Sequence, residues 1–177
     1  MVATSSSLEI AMTDWFRYCD GGRAEAGFTN KAKGFGDCVV RTIAIATGRG
    51  YQQAYDDIFG TGKTSPLWYR TDEKCTPLRG FQLMPGNECP DDGVCNAITK
   101  RVLKLEYGWV YHDAPGPFVL SHLPLGPVIV QMDSMPHHCA VIDRVIYDDC
   151  DEADEPSQGG SATIKGYWTP PPPLSVP

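Results

Sequence analysis

Basic charge is scarce in this chain. Its 15 lysines and arginines face 22 acids, the formal net charge is −7, and basic residues nowhere gather beyond pairs. A nucleic-acid partner needs a positive footprint to displace counterions from phosphates, so none is expected. Long apolar runs are missing too. None approaches the roughly 18 residues of a membrane span, so no membrane partner is expected either. The start, Met1-Val2-Ala3-Thr4-Ser5-Ser6-Ser7, lacks the basic residues and apolar core of a signal peptide, which predicts a cytoplasmic location in the producing cell.

Metal and phosphate signatures are equally thin. The seven cysteines stand at 19, 38, 75, 89, 95, 139 and 150. Cys75, Cys89 and Cys95 are the nearest approach to a zinc set, but their spacing contains no C-x2-C or H-x3-5-H unit, and no metal is expected. Gly60-Thr61-Gly62-Lys63-Thr64 imitates the end of a phosphate loop. The glycine required five positions before Gly62 is Asp57, however, and a helix precedes the segment where a strand belongs. The acidic run from Asp148 to Glu155 has no glycine placed for a calcium loop and reads as a solvated loop. No repeat is visible and no motif implies a cofactor.

What is present is an ordinary globular composition, 42% hydrophobic and 10% aromatic over 177 residues. That length suits one domain with a sizeable core, spanning 1–177 with an N-terminal arm (about 1–20) and a proline-rich tail (about 169–177). Residues 8–18 read as a short helix or an extended packing arm. Val39, Val40, Ile43, Ala44 and Ala46 carry helical periodicity, with Gly48 able to end the helix in a left-handed cap. Tyr51, Ala54, Tyr55, Ile58 and Phe59 predict a second helix of about two turns. Val94, Ala97, Ile98, Val102 and Leu105 predict a third. Strands are predicted at 126–132, 138–143, 144–148 and 164–168, with Asp143-Arg144 forming an unfavourable glycine-free turn. The pattern is α+β, helices first and an antiparallel sheet after.

The chemistry gathers on Cys38. It follows Asp37, a residue able to cap a helix by accepting a first-turn N–H, and a thiol at a helix N-terminus sits in the positive end of the dipole, which favours thiolate. Four histidines are available as partners. His112 and His122 fall in proline-flanked segments read as surface loops. His137 and His138 enter the apolar strand Cys139-Ala140-Val141-Ile142. Strand alternation puts them on opposite faces, so only one should point at Cys38.

Gly36-Asp37-Cys38-Val39-Val40-Arg41-Thr42-Ile43-Ala44-Ile45-Ala46-Thr47-Gly48, Leu123-Pro124-Leu125-Gly126-Pro127-Val128-Ile129-Val130, His137-His138-Cys139-Ala140-Val141-Ile142-Asp143-Arg144-Val145-Ile146-Tyr147-Asp148 and Gly166-Tyr167-Trp168 together resemble a group of papain-like proteins of phages and bacteria, mostly uncharacterised. The resemblance covers about a third of the chain. It implies a papain-like fold with Cys38 as nucleophile, His137 as its base and Asp148 as the acid that orients His137. His138 and Asp143 are the alternatives for base and orienter. Arg144 stands where the group carries glycine. No glutamine shortly precedes Cys38, which leaves Asn30 and the Cys38 backbone N–H as candidates for an oxyanion hole. Two functions follow from the resemblance. One is a cysteine hydrolase, peptidase or amidase, that acts on a peptide or amide substrate through a thioester. The other is a non-catalytic structural or interaction protein on the same fold, such as a phage virion component partnered by other chains of a viral assembly.

Overall fold

In the computed structural model, residues 15–28, 37–64, 94, 96–133, 137–149 and 162–172 are described. Six strands form one mixed sheet in the order β1-β5-β4-β3-β6-β2, and three α-helices accompany it among the described residues. β1 is Phe16–Tyr18, α1 Cys38–Thr47, α2 Tyr51–Thr64, α3 Asn96–Leu105, β2 Val110–Pro117, β3 Pro127–Met132, β4 His138–Ile142, β5 Val145–Asp148 and β6 Thr163–Thr169. The α+β class and the four later strands agree with the sequence pattern.

The helices form where that periodicity places them. Gly48 ends α1 at φ 69° with its N–H bonded to the Ile45 carbonyl, the left-handed cap for which glycine carries no Cβ penalty. α2 is longer than expected, its backbone staying helical through Gly60 to Thr64, so the glycine-lysine segment is no phosphate loop. α3 begins at Asn96, two residues after Val94.

The sheet departs from expectation at both edges. β1 runs parallel to β5, pairing Phe16, Arg17 and Tyr18 with Ile146, Tyr147 and Asp148, so the sheet is mixed rather than antiparallel. Three residues paired across most of the chain's length leave no local signal. β2 takes in His112, which pairs with Tyr167 on β6 and stacks on its ring at 4.8 Å. The predicted loop is thus strand, because a register shift between Asp113 and Gly116 accommodates the prolines. The β4–β5 connection is the expected two-residue turn, with Asp143 at φ 50° and Arg144 at φ 68°, both left-handed as the right-handed twist of a tight hairpin requires.

The two faces of the sheet carry separate cores. On one, Ala140, Ile129 and Trp168 lie side by side across β4, β3 and β6 and pack with Val39, Ile43, Ile58, Ile98 and Val102 of the helices. On the other, Cys139, Val141, Val128, Val130 and Met132 pack with Phe118 and Leu123 of the β2–β3 connection. Each fully buried Val or Ile contributes about 1.5–3 kcal/mol. α1 lies over β4, its neighbours β3 and β5 flanking it, and this sets its first residue beside the start of β4.

Candidate active site

α1 begins at Cys38 itself, which is partly exposed, and Asp37 before it is only 1% exposed. The Asp37 carboxylate makes no capping bond to the helix, contrary to the sequence expectation. It accepts instead from Arg41 Nε at 3.0 Å, Arg23 Nη1 at 3.2 Å and Tyr51 Oη at 2.9 Å. Hydrogen bonds from buried cations are stronger than one from a neutral amide, so the arginines win the carboxylate. The first-turn N–H groups of α1, Cys38 included, are left unused by Asp37.

His137 stands one residue before β4, and its backbone carbonyl accepts the Met132 N–H at 3.0 Å. His138 is the first residue of β4, 4% exposed, with its carbonyl held by Thr42 Oγ1 of α1 at 3.0 Å. Both imidazoles act on the Cys38 thiol and favour its thiolate. The expectation that only one could do so fails because His137 lies outside the strand, where the pleat no longer dictates its direction. Burial pushes the Cys38 thiol up, but the hydrogen bonds from His137 and His138 and the charge on both rings outweigh it, bringing the pKa from an ordinary 9.0 to about 6.

Asp148 closes β5 at 1% exposure. Its Oδ2 lies 2.7 Å from His137 Nε2. Its Oδ1 accepts from Arg41 Nη1 at 2.5 Å and from the Asp149 N–H at 2.7 Å. Arg41 also meets Asp149 at 2.6 Å, and Arg23 bridges Asp37 and Asp149 at 3.2 Å each. Burial disfavours the Arg41 charge, yet Asp148, Asp37 and Asp149 together hold its pKa above the ordinary value. The Asp149 carboxyl is pushed up by its own burial against the pull of Arg41, with Asp148 beside it adding to the rise. Gly21, at φ 66°, lets the turn carrying Arg23 lie against α1. A Cβ there would come within 3.1 Å of the Arg41 backbone.

The three residues assigned by resemblance, Cys38, His137 and Asp148, are therefore brought together in the order thiol, imidazole, carboxylate. Against known proteins, the chain matches no family model, no curated protein and no solved structure.

The alternatives fall elsewhere. Asp143 is at the hairpin turn, its Oδ1 accepting the Gly126 N–H at 2.9 Å, so it does not orient a histidine. His138 also favours the Cys38 thiolate and is buried. Asn30 and the cysteines at 75, 89 and 95 lie outside the described residues. Among the described residues, no group of three or more His, Cys, Asp or Glu side chains could hold a metal ion. No described helix is long and apolar enough to cross a membrane.

Sequence reasoning missed Arg41, Asp149, Arg23 and Tyr51. The signal for Arg41 was an arginine inside an otherwise apolar helix, four residues after an aspartate. A charge at a core position needs a buried partner. It also missed Gln131, the lone polar side chain in Val128-Ile129-Val130-Gln131-Met132, buried to 4% exposure.

Proposed function

We propose that the chain is a papain-like cysteine hydrolase, a peptidase or amidase, with Cys38 as nucleophile, His137 as general base and acid, and Asp148 as the residue that orients His137. The observation that carries this reading is the His137 imidazole, bonded to the Asp148 carboxylate through Nε2 while the same ring favours the Cys38 thiolate. A buried structural cysteine has no need of a carboxylate-backed imidazole, whereas a thiol nucleophile does.

The steps follow from the residues. His137 holds the thiol proton as imidazolium while Cys38 Sγ, as thiolate, attacks the substrate carbonyl carbon. The surrounding aspartates, three against two arginines, carry the surplus negative charge that an imidazolium complements. The oxyanion forms at the start of α1, where the Cys38 N–H and the helix dipole stabilise it. His137 then gives its proton to the departing amine, which leaves Cys38 as a thioester. Water, deprotonated by His137, attacks the thioester carbonyl; the acid departs and the thiolate returns.

Iodoacetamide labelling followed by peptide mass spectrometry tests the reading. At pH 7 Cys38 is expected to alkylate far faster than the other six cysteines, and Cys38→Ala to abolish amide hydrolysis by the full chain. Alkylation of Cys38 at the common rate, unchanged in His137→Ala, would leave the non-catalytic interaction protein as the better account.

A further inference from the structure

Beside the nucleophile, the helix-facing side of the sheet carries a row that the proposed reaction does not use. Gln131 on β3 pairs with His138 on β4 and with Gly166 on β6. It stands two residues along from the apolar row of Ala140, Ile129 and Trp168, and on the same face. Because the Met132 N–H bonds the His137 carbonyl, the Gln131–His138 pair is of the type without mutual hydrogen bonds, in which side chains come closest. His138 in turn favours the Cys38 thiolate.

Two features mark this row as built for a ligand. Gln131 is 4% exposed, yet among the described residues its carboxamide has no hydrogen-bond partner. A carboxamide that the fold leaves unbonded is open to a ligand's donor and acceptor, and a valine or leucine would serve a purely structural row equally well. At Gly166 a side chain is excluded, since a Cβ would lie 2.3 Å from the His112 carbonyl and 2.7 Å from Tyr111 Oη. The Tyr111 phenol therefore lies over Gly166 and next in line to Gln131. Gln131 offers one donor pair and one acceptor, Tyr111 one of each, and neither carries charge. The arginines near Cys38, Arg41 and Arg23, are already engaged by Asp37, Asp148 and Asp149, and the Lys100 ammonium lies 4.8 Å over the Tyr111 ring.

We infer that Gln131 and Tyr111 form a subsite that receives a neutral amide of the substrate, adjacent to the bond Cys38 attacks. The inference rests on the cysteine-hydrolase reading and narrows its substrate to chains with a second amide beside the scissile one, peptides rather than simple amides or esters.

The test uses the full chain and two electrophiles that both alkylate a thiolate with loss of chloride: acetyl-Ala-Ala chloromethyl ketone, and a chloromethyl ketone bearing an unbranched alkyl chain of similar length. Wild type is expected to prefer the peptidyl probe at Cys38 by about tenfold or more. Gln131→Leu should bring that ratio close to one while leaving the alkyl rate unchanged. Tyr111→Phe, which removes only the hydroxyl, should lower the ratio severalfold. Because Gln131→Leu relieves an unpartnered amide, its melting temperature should equal or exceed that of wild type. An unchanged probe ratio in Gln131→Leu alongside a fast-reacting Cys38 overturns the subsite alone, as does a markedly lower melting temperature, which would mean the amide is bonded within the fold. A wild-type Cys38 no faster than the other cysteines overturns the hydrolase reading and the subsite with it.

Discussion

On the β5 side of Cys38, five charged side chains meet one another in pairs. On the β3 side, an indole N–H is buried without a partner and a carboxamide makes no side-chain hydrogen bond among the described residues. Arg41, Arg23, Asp37, Asp148 and Asp149 close a network in which every carboxylate touches a guanidinium. Gln131 and Trp168 Nε1 face the opposite condition. The saturated flank can only hold, since its groups have no bonding capacity to spare for a visitor. On the proposed reading, the unsaturated flank is where a substrate can improve the bonding. Rigidity and receptivity are thus divided between the two neighbours of the histidine strand.

The largest test of this division is to break the saturated flank. Arg41→Met removes the guanidinium shared by three carboxylates and leaves them buried against one arginine. It should destabilise the fold by about 3–5 kcal/mol, read by chemical denaturation, whereas an equally apolar replacement of Gln131 on the other flank should not.

Next in size is His137→Ala. It should raise the midpoint of Cys38 alkylation by more than one pH unit, which is about tenfold or more in rate at pH 7, measured by mass spectrometry across a pH series. Asp148→Asn keeps the ring contact and removes the charge behind it, so its shift should be in the same direction and smaller. In wild type the same series should show Cys38 alkylation levelling off above a midpoint near pH 6. The sign follows from the lowered pKa: thiolate is fully present above that midpoint and is lost as the pH falls through it. A midpoint near the ordinary 9.0 would mean that the two histidines do not hold the sulfur.

The smallest expected effect lies away from both flanks. Arg144 is held at φ 68° in the β4–β5 turn, a conformation that costs a residue with a Cβ roughly 1–2 kcal/mol. Arg144→Gly should raise stability by about 0.5–1 kcal/mol, the gain in the turn exceeding the added freedom of the unfolded chain. Cys38 reactivity should be unaffected. A change in that reactivity would show that the turn's strain is transmitted along β4 to the histidines, and the flanks would then not be independent.

The sequence made some of this legible and hid the rest for definite reasons. Cys38 was visible because a helix start has local markers, and the histidine pair because it enters a short apolar strand, while the choice of His137 and Asp148 came from the resemblance alone. The direction of His137 was not visible, because alternation governs residues inside a strand and His137 lies just before one. Asp37 looked like a cap because capping is a local interaction, while its real partners arrive from Arg23, Arg41 and Tyr51. β1 pairs with a strand some 130 residues later (Phe16 with Ile146), a relation that no window of sequence contains. Gln131 was in plain view as the polar member of an apolar run, and only the sheet register shows that it stands beside His138.

The Arg41–Asp148 contact spans 107 residues, and Cys38 meets its histidines across a comparable stretch of chain. Until β4 and β5 have been made and docked, Cys38 is an ordinary, sluggish thiol on a nascent helix. Such long-range closure comes late in folding, so a half-made or unfolded copy carries no reactive nucleophile that could attack its neighbours. On the proposed reading, the reactivity of Cys38 is in this sense a certificate of completed folding, issued only when both halves of the chain have met.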